Sequence, residues 1–414
     1  MGMTKRLPFT KEQIQELSKK HPTPFYIYDE AGIRQTAREL VENFSWNEGF
    51  KQYFAVKATP NPAILEIVKE EGSGADCSSL PELQLSERAG ITGENIMFSS
   101  NDTPRDEFVK ARKLGAIINL DDIRHIEFLE KSAGLPKILS FRYNPGPLRG
   151  GNRIIGNPAE AKFGMTKEQV LESYAIAKKK GIKRFGLHTM LVSNELREDY
   201  FVETARMLFS LAHEVREKAG VELEFINLGG GLGISYRPEE KSIDIKAISA
   251  GIRELYEDAV HKNLMAPTKI FTEYGRYITG PHGYLVSTVR HIKETYKKYV
   301  GLDASMANLM RPAMYGAYHY ITVLGKENEP KNQIYDVVGS LCENNDKFAI
   351  DRKLPEMEPE DIVVFHDAGA HGHAMGFNYN GKLRSAEFLM SADGQLKMIR
   401  RAETSEDYFA TLKF

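Results

Sequence analysis

The chain has 414 residues, which is enough for a large hydrophobic core and for two domains. Its formal net charge of −2, with acidic and basic residues evenly mixed, gives no sign of a nucleic-acid or membrane partner, and no apolar run approaches the roughly 20 residues of a membrane span. Only two cysteines are present, Cys77 and Cys342, and their distance in sequence argues against a disulfide framework or a metal site. Together with the lack of a secretory signal, they predict a cytoplasmic protein.

From about residue 50 to 280 the sequence repeats an apolar strand followed by an amphipathic helix, as in the helical patterns of 62–71 and 200–219. The predicted strands are 51–57, 75–79, 96–99, 116–120, 138–143, 184–190, 224–228 and 269–273. Eight alternating units predict an α/β TIM barrel rather than an open sheet.

After residue 282 the pattern changes to strands without regular helices between them. These strands are predicted at 284–291, 297–302, 321–324, 335–338, 361–365 and 385–390. The β-like stretch 23–28 is expected to pair with them. We therefore predict a barrel over 30–282 and a mainly β domain formed by 1–29 and 283–414.

Lys57 closes the first predicted barrel strand, at the end of the barrel where TIM-barrel enzymes keep their chemistry. A partly desolvated amine there can form a Schiff base with an aldehyde such as pyridoxal phosphate. The competing interpretation is an ordinary surface lysine, so the other loops at this end of the barrel decide between the two.

Two of those loops are suited to a phosphate. Gly229, Gly230 and Gly231 follow the seventh strand, where backbone N–H groups can approach an anion without side chains in the way. The segment 273–276 follows the eighth strand, and these two loops are the usual phosphate site of a TIM barrel. Because strands one and eight are neighbours in a closed barrel, Lys57 and this last loop should converge.

At these residues the chain resembles the fold-type III pyridoxal-phosphate decarboxylases, which pair an alanine-racemase-like barrel with a β domain, and within that group the diaminopimelate decarboxylases. The matching segments lie in the expected order along the chain: Phe54-Ala55-Val56-Lys57-Ala58, Gly229-Gly230-Gly231, Arg311-Pro312-Ala313-Met314-Tyr315-Gly316, Cys342-Glu343-Asn344-Asn345-Asp346 and Asp367-Ala368-Gly369-Ala370.

The resemblance implies that pyridoxal 5'-phosphate is the cofactor and that Lys57 anchors it. Glu273 would pair with the pyridine nitrogen, and His188 would stack on the ring, although a packed core histidine is the common alternative. The full cofactor-binding set that it implies is Lys57, His188, Gly229, Gly230, Gly231, Glu273, Tyr274, Gly275, Arg276 and His371.

For the substrate, the resemblance implies that Arg276, Arg311 and Tyr315 bind carboxylates, since arginine binds them in bidentate fashion. Glu343 would recognise the distant ammonium group, and Cys342 would be the second catalytic residue, protonating the carbon that loses carbon dioxide. A buried structural cysteine is the usual alternative for Cys342. Cys77, in a barrel strand, is expected in the core, and Asp346 is expected to support the Cys342 loop.

Three positions depart from the family pattern. The family often reads Glu-Pro-Gly-Arg where this chain has Glu273-Tyr274-Gly275-Arg276, which keeps the Glu, Gly and Arg. A common His-Ile-Gly-Ser segment is here His188-Thr189-Met190-Leu191, with Ser193 two residues further on. The tyrosine that usually follows Asp-Ala-Gly-Ala is His371, which can donate a hydrogen bond to a phosphate or contact the substrate.

The implied reaction is decarboxylation of meso-2,6-diaminopimelate at its D-centre to L-lysine, through an external aldimine and a quinonoid, as the last step of lysine biosynthesis. A homodimer with shared active sites is implied as well. Decarboxylation of ornithine, arginine or carboxynorspermidine is the alternative, and a non-catalytic barrel homologue is a further one.

Overall fold

The computed structural model describes residues 5–152, 154 and 156–414. The chain divides into two compact units. The barrel unit comprises Arg34–Ile234 and Ser242–Tyr277, and the β unit comprises the described residues up to Ile33 together with Ser235–Lys241 and Ile278–Phe414. Within this described part of the chain, no helix combines the length and the apolar character needed to cross a membrane.

The described chain begins in the β unit. Helix α1 (Lys11–Lys20) starts after Thr10, whose hydroxyl accepts a hydrogen bond from the Gln13 N–H in a capping box. Strand β1 (Phe25–Asp29) follows and is buried over its first four residues. Helix α2 (Glu30–Asn43) then leads to the first strand of the barrel.

Eight parallel strands form a closed barrel. They are β2 (Lys51–Ala55), β3 (Gly74–Cys77), β4 (Ile96–Ser99), β5 (Ile117–Leu120), β6 (Ile138–Tyr143), β7 (Arg184–Thr189), β8 (Phe225–Asn227) and β9 (Lys269–Thr272). The barrel closes where Lys51 and Gln52 of β2 pair with Phe271 and Thr272 of β9. The predicted TIM barrel is confirmed, strand by strand. The first strand ends two residues earlier than predicted, and Lys57 lies in the 3-10 turn Val56–Ala58.

Helices alternate with these strands. They are α3 (Pro62–Glu70), α4 (Leu80–Arg88), α5 (Arg105–Leu114), α6 (His125–Ala133), α7 (Lys167–Lys179), α8 (Glu198–Ala219), α9 (Ile245–His261) and the short α10 (Arg276–Thr279). Local signals explain where they start: the Asn61 side chain accepts the N–H of Ala63 at the start of α3, and the Ser79 side chain caps α4. Prolines stand in the first turn of both helices, where a missing N–H costs nothing.

Large apolar side chains fill the part of the barrel nearest to the beginnings of the strands. One buried cluster holds Tyr53, Met97, Ile117, Ile138, Phe225 and Phe271. Gly186 of β7 leaves room for this packing, because a Cβ atom there would lie 2.0 Å from the Phe225 ring. The carboxyl ends of the strands are therefore left to polar side chains.

The β unit is a nine-stranded sheet. Its further elements are β10 (Gly283–Glu294), β11 (Lys298–Leu302), α11 (Arg311–Tyr315), β12 (Ile321–Val323), β13 (Gln333–Val338), β14 (Lys347–Leu354), β15 (Ile362–Phe365), β16 (Ala386–Met390), β17 (Leu396–Arg400) and α12 (Ser405–Phe409). The main path runs β14-β13-β11-β10-β1-β16-β17, with β15 pairing β10 and β12. As expected, the N-terminal β1 joins this sheet, antiparallel to β10 and parallel to β16.

Two strands of this sheet, β14 and β17, are absent from the sequence prediction. They are the two end strands of the main path. Each carries charged residues among its apolar ones, as in Lys347-Phe348-Ala349-Ile350-Asp351-Arg352-Lys353-Leu354. Charged residues are typical of edge strands, because they discourage pairing with other chains, and they also obscure the apolar pattern.

Candidate active site

Lys57 lies at the carboxyl end of the barrel strands, in the turn that follows β2. Its Nζ atom is 3.0 Å from Oδ2 of Asp76, a fully buried residue of the neighbouring strand β3. The Lys57 side chain itself is 47% exposed. The amine is therefore held by a carboxylate and remains accessible at the barrel mouth.

The charges around Lys57 oppose the effect of burial. Burial lowers the pKa of the Lys57 ammonium, but the carboxylates of Asp76, Glu273 and Glu82 outweigh it and raise that pKa above its ordinary value. Burial and the nearby charge of Glu273 raise the pKa of Asp76 in turn. The lysine is thus held as an ammonium group until a ligand changes its surroundings.

Glu273 follows β9 and is buried at the same end of the barrel. One carboxylate oxygen accepts hydrogen bonds from Nδ2 of Asn227 at 2.7 Å and from Oγ of Ser99 at 3.4 Å. The other lies 3.0 Å from Nε2 of His188. Burial alone would raise the pKa of Glu273, but His188, Lys57 and Arg142 outweigh it and lower the pKa to about 2. The carboxylate therefore stays ionised inside the barrel.

His188, on β7, is the third side chain of the group formed with Lys57 and Glu273. Burial lowers the pKa of the His188 ring, so the neutral imidazole is favoured, with Nε2–H donating to Glu273. Its Nδ1 atom is buried and has no hydrogen-bond partner within the described residues. A buried polar atom without a partner is costly and points to a polar ligand that the barrel mouth is built to hold.

The glycine loop after β8 lies tightly against the segment that follows β7. A Cβ atom at Gly229 would lie 2.0 Å from the carbonyl oxygen of Thr189, and one at Gly231 would lie 2.4 Å from that of Val192. Both glycines have φ angles, 75° and 96°, that other residues rarely adopt. The loop is joined to Glu273, whose N–H donates to the Gly229 carbonyl at 2.9 Å.

The loop after β9 converges on the Lys57 turn, as the sequence predicts. A Cβ atom at Gly275 would lie 2.7 Å from the Cβ of Ala58, so only glycine permits this approach. Arg276 is buried, with Nη2 3.4 Å from Oγ of Ser193, the serine displaced from the usual family segment. Tyr274 does not join this group through its side chain, which packs edge-on against Phe201 of α8.

The arrangement fits pyridoxal phosphate. It offers an amine for the aldehyde, an ionised buried carboxylate, an imidazole with an unpartnered buried nitrogen, and a glycine loop from which any Cβ atom would be excluded.

The predicted substrate residues of the β unit fall into two places. Arg311 and Tyr315 are the two ends of the short helix α11; Arg311 is buried and Tyr315 is half-buried. Cys342 and Glu343 lie in an exposed loop after β13, and Cys342 has a free thiol. Cys77, by contrast, is buried in β3, as expected.

Asp346 organises the Cys342 loop. Its carboxylate accepts the N–H of Met306 at 2.6 Å and the N–H of Leu341 at 2.9 Å. The backbone N–H of Cys342 donates to the side-chain oxygen of Asn380 at 2.7 Å. These bonds fix the backbone on both sides of the exposed thiol.

His371 is half-buried in a turn of the β unit. Its φ angle of 55° lies in the left-handed region, as does that of Asp367, at 57°. The turn is tight, because a Cβ atom at Gly369 would lie 1.9 Å from the carbonyl oxygen of Thr279. The position of the His371 side chain is therefore set by an unusual backbone.

Sequence reasoning missed Asp76, Asn227, Ser99 and the buried Arg142, which forms an ion pair with Asp121 at 3.0 Å. All of them lie at or next to the carboxyl end of a barrel strand. Their polar character at that end was a signal that could have found them, because catalytic residues of TIM barrels come from the ends of several strands.

Comparisons with known proteins agree with this geometry. Residues 30–280 match a family model described as "Pyridoxal-dependent decarboxylase, pyridoxal binding domain". The chain is 44% identical over 401 residues to Protein TabA of Pseudomonas amygdali pv. tabaci, covering 97% of this chain and 94% of TabA. It is 36% identical over 394 residues to a diaminopimelate decarboxylase of Methanothermobacter thermautotrophicus, covering 95% of this chain and 92% of that protein. The crystal structure of Helicobacter pylori diaminopimelate decarboxylase complexed with L-lysine superposes with a TM-score of 0.87 at 30% identity, covering 96% of this chain and 98% of that one.

We predict that Asp76→Asn lowers the pKa of Lys57, because it removes the largest of the carboxylate contributions and leaves burial in place. The rate of acetylation of Lys57 in cofactor-free protein, followed by mass spectrometry as a function of pH, should reach half its maximum at a lower pH than in the wild type. Glu82→Gln is the matched control and should shift it less. An unchanged or higher midpoint in Asp76→Asn would contradict this account of the site.

Proposed function

The chain belongs to the pyridoxal-dependent decarboxylases, and on that premise we propose that it removes carbon dioxide from the D-centre of meso-2,6-diaminopimelate to give L-lysine. Relatives that carry the name diaminopimelate decarboxylase match nearly the whole chain, which supports this substrate. In the proposal the reaction is the last step of lysine biosynthesis.

The observation that carries the proposal is the ionised Glu273 carboxylate beside the Lys57 amine at one barrel mouth. When bound, pyridoxal phosphate supplies an aldehyde for an amine and a ring that accepts the electron pair left by departing carbon dioxide. Lys57 would hold the aldehyde group, and Glu273 would hold a proton on the ring nitrogen. Because the pKa of Glu273 is lowered to about 2, it remains an anion that can stabilise a protonated nitrogen at neutral pH.

The remaining cofactor residues orient the group. His188, fixed by its hydrogen bond to Glu273, would stack on the ring. The glycine loop and Arg276 would bind the phosphate through backbone N–H groups and a guanidinium. His371, in place of the family tyrosine, would supply a hydrogen-bond donor for a phosphate.

The substrate residues are assigned by charge and chemistry. Arg276, Arg311 and Tyr315 bind carboxylates, and Glu343 binds the ammonium group of the centre that is not decarboxylated. Cys342 delivers a proton to the carbon that has lost carbon dioxide. Its exposure as a free thiol on a loop fixed by Asp346 supports this role, because a structural cysteine would be buried.

We further propose a homodimer in which Cys342 and Glu343 serve the other subunit's cofactor. Both residues are exposed in the single chain, as are Met314 and Tyr379 of the same unit, at 57% and 51%. Residues 30–282 would hold the cofactor, and residues 1–29 and 283–414 would carry the substrate and dimer-interface residues. The two free thiols are consistent with a reducing compartment such as the cytoplasm.

We predict that the purified enzyme, loaded with pyridoxal phosphate, releases carbon dioxide from meso-diaminopimelate far faster than from ornithine, arginine, carboxynorspermidine or lysine. The reason is that those substrates do not all carry the second carboxylate that the arginines would bind. Separate assays of carbon dioxide release decide the matter. Activity confined to ornithine, arginine or carboxynorspermidine would favour the related decarboxylase, and no activity on any of them would favour a non-catalytic homologue.

We also predict that an equal mixture of Lys57→Ala and Cys342→Ala subunits recovers activity after subunit exchange. If the sites are shared, half of the dimers are hybrids with one intact site, so about a quarter of the wild-type activity should return. Each variant alone is the control and should be nearly inactive. No recovery, with exchange demonstrated by mass spectrometry of the dimers, would contradict a shared site.

A further inference from the structure

Lys5 forms a largely buried ion pair with Asp367 inside the β unit, across 362 positions of the sequence. Its Nζ atom lies 2.9 Å from each of the two carboxylate oxygens of Asp367 and 2.7 Å from the carbonyl oxygen of Ser235. The side chains of the pair are only 16% and 3% exposed. The segment ahead of helix α1 is therefore joined to the turn that starts at Asp367.

The ionised form of Asp367 depends on this contact. Burial raises the pKa of the Asp367 carboxyl group to about 6, even though Lys5, in direct contact, and Arg311 both favour the ionised form. A buried carboxylate that loses the cation in contact with it is costly, because it is no longer solvated by water either. Lys5 therefore stabilises the carboxylate where it lies.

The turn from Asp367 to His371 has an unusual backbone at both ends. The φ angles of these two residues, 57° and 55°, lie in the left-handed region, which residues other than glycine rarely adopt. A backbone hydrogen bond holds one point of the turn, because the N–H of Ala368 donates to the carbonyl of Gly283 at 2.7 Å. A backbone of this kind persists only where its surroundings fix it. The Asp367 side chain, held by Lys5, is a second fixed point.

We propose that Lys5 is a positioning residue for the cofactor phosphate: it holds the Asp367 carboxylate, and with it the turn that places His371 against the phosphate. The inference rests on the proposed function, in which His371 supplies a hydrogen-bond donor for a phosphate. It extends that function to a residue ahead of α1, far in sequence from the other site residues. Lys5 acts through Asp367 and His371 in this inference, not by contact with the phosphate.

The test compares two aldehydes that differ only in the phosphate. Cofactor-free protein is titrated with pyridoxal phosphate or with pyridoxal, and the absorbance of the lysine linkage gives the Kd of each. We expect Lys5→Met to raise the Kd for pyridoxal phosphate about tenfold, because a hydrogen bond to a charged group is weakened. The Kd for pyridoxal should stay near the wild-type value. Lys19→Met is the matched control, since Lys19 forms an exposed ion pair with Glu16, and it should change neither.

Two double variants trace the route from Lys5 to the phosphate. Lys5→Met/His371→Ala should bind pyridoxal phosphate no more weakly than His371→Ala alone, because effects that pass through one residue are not additive. Lys5→Met/Asp367→Asn should recover most of the lost affinity, because asparagine carries no charge and tolerates the left-handed backbone. The thermal unfolding midpoint of every variant is measured alongside. Lys5→Gln, which removes the charge but keeps N–H donors, replaces Lys5→Met if that variant does not fold, with a smaller expected loss of the same kind.

Equal weakening of pyridoxal phosphate and pyridoxal binding in folded Lys5→Met would overturn the inference, as would unchanged binding of both. It would also be overturned if Lys5→Met/His371→Ala bound pyridoxal phosphate more weakly than His371→Ala, or if Lys5→Met/Asp367→Asn stayed as weak as Lys5→Met.

The failure of the proposed function is distinguishable from these outcomes. If His371→Ala itself binds pyridoxal phosphate as tightly as the wild type, the phosphate role of His371 fails and the inference fails with it. A loss in His371→Ala without one in Lys5→Met overturns the inference alone. The proposed decarboxylation is decided separately, by release of carbon dioxide from meso-diaminopimelate by the wild-type enzyme.

Discussion

The candidate site depends on one buried charge, the carboxylate of Glu273. An ionised group inside a barrel is costly unless hydrogen bonds and opposite charges surround it. Asn227, Ser99 and His188 provide the hydrogen bonds from three other strands. The backbone of Glu273 is also bonded to Gly229, so the glycine loop and the carboxylate hold one another in place. Stabilising this anion therefore arranges the polar side chains at this end of the barrel.

Much of the barrel can be predicted from sequence because a buried parallel strand is a continuous run of mostly apolar residues. Strands such as Ile138–Tyr143 are buried along their whole length and are rich in branched and aromatic residues. Eight such units predict a closed barrel, in which the first and last strands pair. This pairing alone brings Lys57 and the Glu273 loop together. The edge strands β14 and β17 lack such an apolar run. Most of their residues are exposed or half-buried and several are charged, so the apolar alternation that identifies a strand is broken.

The site residues divide in the same way. Lys57, Glu273 and the glycines could be predicted because their chemistry and position are distinctive. For Asp76 the sequence offers only polar character near the end of a strand, because its hydrogen bond with Lys57 forms only when two neighbouring strands come together. Supporting residues of this kind emerge only when the side chains are seen together.

The most direct test of the account is where the cofactor attaches. Protein saturated with pyridoxal phosphate is reduced with borohydride, which makes a lysine–cofactor linkage permanent. It is then digested and mapped by mass spectrometry, with Lys57→Ala as the control. The account predicts one labelled peptide, containing Lys57, and loss of decarboxylation in proportion to labelling. A label on another lysine, or equal labelling of Lys57→Ala, would contradict it.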